Sequence, residues 1–180
     1  MTMKLRGLFV LSASLLATQV FAAEPETGPV IDGYGAAFVI EDTDVPLATD
    51  HVYKVAWEIT DYAGEPDGIN RSLDRVARFL NLHAQNGLAP EDMEIGVVVH
   101  GRALISMLSD TSYQERFDRA NPNLELVEKL AAAGVQFFVC GQSMARRDFA
   151  KSELAEPVKL ATSALTMVHQ LQFEGYTLQP

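Results

Sequence analysis

Along the chain the spacing of hydrophobic positions changes several times, and each change marks an element. Tyr53 to Thr60 alternates. Val55, Trp57 and Ile59 fall on one side, Lys54, Glu58 and Thr60 on the other, as in a strand with one face less buried. From Ile69 to Asn86 the spacing lengthens to that of a helix. Ile69, Leu73, Val76, Ala77 and Leu80 form one stripe, Arg71, Asp74, Arg75 and Arg78 lie off it, and Asn86-Gly87 supplies the stop. Ile95 to Val99 is a short β-branched run, the mark of a strand covered on both faces, and it ends at His100-Gly101. A short helix over Ala103 to Leu108 and a polar, aromatic-containing stretch from Ser109 to Ala120 follow. Asn121-Pro122 predicts a helix start, with Asn as cap and Pro at the first helical position. That helix turns Leu124, Val127, Leu130 and Ala131 inward and stops at Gly134. Val135 to Val139 is a second buried-type strand, ending at Cys140-Gly141. The spacing predicts a last helix opening at Pro157 and carrying Leu160, Ala161, Ala164, Leu165, Val168 and Leu171, with a stop at Gly175 and a final strand over Tyr176 to Gln179.

Strands alternating with helices predict an α/β domain over residues 51–180, a mainly parallel sheet of about five strands with helices on both faces. Residues 23–50 are rich in Gly, Pro and acidic side chains, with an apolar island at Ala36 to Ile40, and read as an arm or hairpin preceding the domain. Residues 1–22 read as an address. Lys4 and Arg6 precede an apolar run of about eleven residues, Leu8 to Thr18, and Val20-Phe21-Ala22 offers a cleavage site. A membrane-spanning helix needs roughly 20 apolar residues, so this pattern predicts a cleaved secretory signal peptide and a periplasmic protein with no membrane association after cleavage.

Composition narrows the partners more than the chemistry. The 180 residues are 48% hydrophobic and 21% charged, as in an ordinary globular domain, and a chain of this size needs no metal to fold. The net charge is −10, and loss of Lys4 and Arg6 with the leader takes it to −12. Such a surface repels nucleic acid and anionic membranes. The single cysteine excludes an internal disulfide. His51, His83 and His169 share no metal-ligand spacing with one another or with His100, and no metal or cofactor is implied. Ser143 lacks a nucleophile elbow, and Gly64-Glu65-Pro66-Asp67-Gly68 is too acidic for a phosphate loop.

In open parallel sheets ligands bind outside the carboxyl ends of the strands. His100-Gly101 and Cys140-Gly141 both fall there, so an imidazole and a thiol are expected on one rim. Gly141 lets another backbone or a ligand approach closely. Gln142, Ser143 and the residues after them open a helical turn whose free N–H groups favour a thiolate, and Arg146 and Arg147 add positive charge. This points to Cys140 as a nucleophile, with His100 as its partner and Gly101, Gly141, Gln142, Ser143, Arg146 and Asn121 as ligand contacts. Free cysteine is also among the most buried residue types, and Asn121 also fits a helix cap, so structural readings of both stand beside the functional ones.

Four strings in order, Val99-His100-Gly101-Arg102-Ala103, Asn121-Pro122-Asn123, Gly134 through Ser143, and Gln172-Phe173-Glu174-Gly175-Tyr176, resemble the exported branch of the DsrE/DsrF-like (YchN-like) family over about residues 50–180. The resemblance implies a three-layer α/β/α sandwich, a homo-oligomer (trimer or hexamer), and sulfur relay in which a strand-end cysteine carries persulfide sulfur between a donor and an acceptor protein. Only Cys140 matches that cysteine. Two features depart from the relay proteins: this chain carries an export signal, and Gly-Gln-Ser stands where small apolar residues follow the relay cysteine.

Overall fold

The computed structural model describes residues 24–62 and 68–179; the signal peptide expected at residues 1–22 lies outside the described residues. The elements follow as β1 (Tyr53–Ile59), α1 (Arg71–Gln85), β2 (Met93–Val99), α2 (Asp110–Phe117), α3 (Leu124–Ala132), β3 (Gln136–Cys140), α4 (Gly141–Arg146), β4 (Val158–Ala161), α5 (Ala164–Phe173) and β5 (Thr177–Gln179). The strands lie in the order β4-β3-β2-β1-β5, and every pair is parallel. The α/β sandwich expected from the alternating pattern is the observed architecture.

That order dictates where the helices go. From β1 through β2 and β3 to β4 the chain moves steadily toward one edge, so right-handed crossovers place the intervening helices on one face. Leu73, Val76 and Leu80 of α1, Leu126, Val127 and Leu130 of α3, and Met144 of α4 share the larger core there with Val55, Trp57, Val97, Val99, Phe137 and Val139. The chain must then return from β4 to β5 at the opposite edge. The same handedness places α5 on the other face, where Ala164 and Leu171 pack with Ala56, Val98, Cys140 and Tyr176. Small residues let α5 approach: Ala56 and Gly96 are register partners, and a Cβ added to Gly96 would lie 2.9 Å from a methyl carbon of Leu171.

Three local expectations are corrected. No helix opens at Pro157. Val158 to Ala161 pair instead with Phe137 to Cys140 as an edge strand, a place where a preceding proline costs no ladder hydrogen bond. Helix α5 starts later, with Ser163 Oγ accepting the Thr166 N–H at 3.1 Å, so Leu160 and Ala161 belong to a strand. The stretch from Ser109 to Ala120 contains α2, capped by Ser109 through the Ser112 N–H, and it buries Tyr113. Asn121 does not cap α3 directly. Its Oδ1 accepts the Asn123 N–H at 3.0 Å in a turn before the helix, which begins at Leu124.

The segment before β1 is tied to α1 by one buried side chain. Asn81 Oδ1 accepts the N–H groups of Val30 and Ile31 at 3.2 and 2.8 Å, and its Nδ2 faces the carbonyls of Ile31, Tyr34 and Gly35. Gly35, at φ +62°, brings its backbone so close that an added Cβ would lie 2.2 Å from the Arg78 nitrogen. Asn81→Ala strands these backbone groups and is expected to cost about 2–4 kcal/mol in urea unfolding. A loss below about 0.5 kcal/mol, the range of ordinary surface substitutions, would show that Asn81 does not hold the arm.

Candidate functional site

Parallel pairing sets the strand ends level. Ile59 pairs with Val99, Val99 with Val139 and Val139 with Leu160. One residue further, Cys140 pairs with Ala161, and the His100 N–H donates to the Ile59 carbonyl at 3.0 Å, carrying the ladder past the end of β2. Thr60, His100, Cys140 and Ala161 therefore form one transverse row at the carboxyl edge, with neighbouring strands about 4.8 Å apart. At this row the connections diverge. The chain leaving β3 turns into α4 on the larger-core face, whereas the chain leaving β4 turns into α5 on the other. Adjacent strands whose connections part to opposite faces create the crevice in which open sheets bind ligands. Cys140 stands at that switch point.

The sulfur is met from both sides. Burial pushes the Cys140 thiol up, but hydrogen bonds from the Ala164 and Ser143 N–H groups, the Ser143 hydroxyl and the Gln142 N–H outweigh it and hold the thiol below its ordinary value. Ala164 belongs to α5, Gln142 and Ser143 to α4, so two helix starts aim N–H dipoles at one atom. Close backbone contact between β3 and β4 makes this possible: a Cβ on Gly141 would lie 2.9 Å from the Ala161 carbonyl oxygen. Cys140 is only 5% exposed, contrary to the open rim position expected for it. Its side chain faces the α5 layer, whose close packing over Ala56 and Gly96 covers it.

Beside the thiol lies a cleft of about 270 Å³ lined by His100, Gly101, Gln142, Ser143, Arg146 and Arg147. Cys140 does not line it. Ser143 links the two, because its Oγ accepts the Gly101 N–H at 3.2 Å while its hydroxyl reaches the sulfur. Gly101 takes φ +58° and lies so close to β1 that an added Cβ would come within 2.5 Å of the Thr60 carbonyl oxygen. His100 is level with Cys140 but engaged on the other side. Its Nε2 lies 3.0 Å from Glu58 Oε1 and 3.0 Å from Thr60 Oγ1, both on the β1 side, and among the described residues it is not a partner of the sulfur. Asn121 is not brought to this cleft. It is buried, and its Nδ2 donates to the carbonyls of Ser106 and Leu108.

The structure thus gathers seven of the eight candidates, Cys140, His100, Gly101, Gly141, Gln142, Ser143 and Arg146, at one strand edge. Sequence reasoning missed Glu58, Thr60 and Ala164. Thr60 and Glu58 were legible as the polar side of β1, and the Thr162-Ser163 pair before an apolar run was the available signal for a helix start beside the thiol.

The fold is an open, all-parallel five-stranded sheet with the thiol at its carboxyl edge. The chain belongs to the DsrE/DsrF-like family, whose sequence profile matches residues 56–180. The solved structure of MTH1491, a protein of unknown function from Methanobacterium thermoautotrophicum, is similar in fold, with a TM-score of 0.54 and 20% identity over 71% of this chain and 97% of that one. No curated protein sequence matches the chain.

The donor set makes Ser143 the side chain that most directly tunes the thiol. In Ser143→Ala the thiol pKa should rise and alkylation by iodoacetamide at pH 7 should slow about fivefold, the worth of one net hydrogen bond of about 1 kcal/mol. His100→Ala should leave the pH midpoint of alkylation unchanged. Equal effects from the two variants would contradict this assignment of donors.

Proposed function

We propose that this protein is a sulfur carrier that accepts sulfane sulfur on Cys140 as a persulfide and hands it on. The observation that supports the reading best is the place of the one thiol at the sheet's switch point, where the starts of α4 and α5 meet it and hold its pKa below the ordinary value. Family membership agrees with it. Chemically, the Cys140 thiolate attacks the outer sulfur of a donor persulfide, R–S–SH. A new S–S bond forms to Cys140, the donor's S–S bond breaks, and its electron pair leaves on R–S⁻. No net oxidation occurs, so no cofactor enters the step. The same N–H groups then favour an anionic Cys–S–S⁻. The donor approaches through the cleft beside Gly101, and Ser143 and Gln142 must turn aside to admit it.

The low exposure of Cys140 favours a second reading, a non-catalytic protein whose cleft binds a small ligand or partner while the thiol merely packs. Incubation with polysulfide separates the two. Relay predicts a mass gain of about 32 Da per added sulfur that disappears in Cys140→Ser. An unmodified wild-type chain, or an adduct that survives the substitution, would contradict relay.

The leader-like pattern of residues 1–22 supports a periplasmic site of action, with donor and acceptor met after export. A homo-oligomer, a trimer or hexamer, is supported by α5, where Leu165 and Phe173 are 85% and 88% exposed. Sedimentation of residues 23–180 should show the assembly, and Leu165→Glu with Phe173→Glu should shift it to smaller species. A monomeric wild-type chain would overturn it.

A further inference from the structure

A second cleft, of about 310 Å³, lies next to the first and shares Arg147 with it. Its walls are of two kinds. Tyr62, Tyr113 and Phe117 supply ring surface, and Arg102, Arg119 and Arg147 supply guanidinium groups. Among the described residues no acidic side chain lines it.

Against a net charge of −10 this concentration of cations calls for an explanation. Some basic side chains elsewhere sit with carboxylates, Lys54 with Glu94, Arg78 with Asp74, Arg116 with Glu153 and Lys129 with Glu125, and Arg119 in the cleft wall is itself engaged. Arg102 and Arg147 have no such partner among the described residues, and both are exposed. The aromatic wall is fixed rather than adaptable. The Tyr62 hydroxyl donates to the Gly68 carbonyl at 2.6 Å and accepts from Asn123 Nδ2 at 2.8 Å. Asn123 is itself buried and accepts the Asn70 N–H at 2.7 Å, so the ring is anchored to a buried polar network. Tyr113 is held by its hydroxyl against Tyr62 and by its ring against Phe117, with ring centroids 4.7 Å apart. Burial, together with the Tyr62 hydroxyl, pushes the Tyr113 phenol up to about 12, so no phenolate competes for the guanidinium groups.

We infer that this cleft is a binding site for a small organic anion with a planar apolar body, of the class of aromatic carboxylates. Guanidinium groups grip a carboxylate through paired N–H donors, and fixed ring faces cover a flat hydrocarbon. The volume lies at the lower end of the roughly 300–1,000 Å³ typical of small-molecule sites, which suits a single ring better than a nucleotide. Cys140 does not line the cleft, so the site stands independently of sulfur chemistry.

The test uses benzoate as the probe, with benzamide as its uncharged isostere and acetate as the anion without a ring, titrated into residues 23–180 and followed by protein NMR shifts. Benzoate should bind saturably, with shifts centred on Arg102, Phe117 and Arg147, and about tenfold or more tightly than either benzamide or acetate. Arg102→Gln with Arg147→Gln, both exposed and therefore tolerated by the fold, should weaken benzoate about tenfold or more, and Phe117→Ala should weaken it while leaving acetate unchanged. Absence of saturable benzoate binding, equal affinity for benzamide or acetate, or full affinity in the double arginine variant would each overturn the inference. None of these readouts depends on persulfide formation, so the two proposals fail separately.

Discussion

Parallel pairing in register is the constraint on which the rest of this molecule depends. Because β1, β2, β3 and β4 run together, their carboxyl ends finish on one line, and residues far apart in sequence arrive there side by side. A shift of one residue in any pair would turn the strand's whole alternating set to the other face. Val139 would then lose the larger core, and Cys140 would lose the layer under α5. The hydrophobic pattern of each strand therefore fixes the position of the thiol. No local feature of the Cys140 neighbourhood could do this alone.

Chain reversal adds the second half of the arrangement. Three crossovers carry the chain to β4 on one face, and only the return to β5 uses the other. At β3 and β4 the two kinds of connection part, so the starts of α4 and α5 approach Cys140 from opposite faces. Electrostatics and burial then oppose each other at the sulfur. Loss of water disfavours the thiolate, while four donors favour it, and the balance lies with the donors. A cysteine that merely filled a hydrocarbon gap would have its pKa raised. This difference in sign separates Cys140 from an ordinary packed cysteine, even though its exposure is as low.

Much of this was legible from the order of residues, and the failures have physical causes. The β-branched run before His100 and the apolar run before Cys140 read directly as buried strands, and parallel topology then implied a shared edge. The misreading of Val158 to Ala161 had a specific origin. Apolar residues at 160, 161, 164, 165, 168 and 171 also fit a helical stripe, and a four-residue edge strand is too short for periodicity to resolve. That one error hid Ala164 as a donor. Burial of the thiol was equally invisible, because it depends on the closeness of α5, set by Ala56 and Gly96 far away in sequence. The arginine cleft could not be foreseen either: Arg102, Arg119 and Arg147 sit in three different segments and meet only through tertiary structure.

Whether donors or desolvation govern the ionisation of one sulfur decides what Cys140 can do. With a single cysteine in the chain, the thiolate absorbance in the ultraviolet has one source and can be titrated directly on the folded protein, with Cys140→Ser as the blank. The midpoint should fall below the ordinary thiol value of about 8.5, so that the thiolate is already substantially formed as the pH rises toward it. A midpoint above that value would mean that burial prevails, and Cys140 would then be a packing residue in a protein that moves no sulfur.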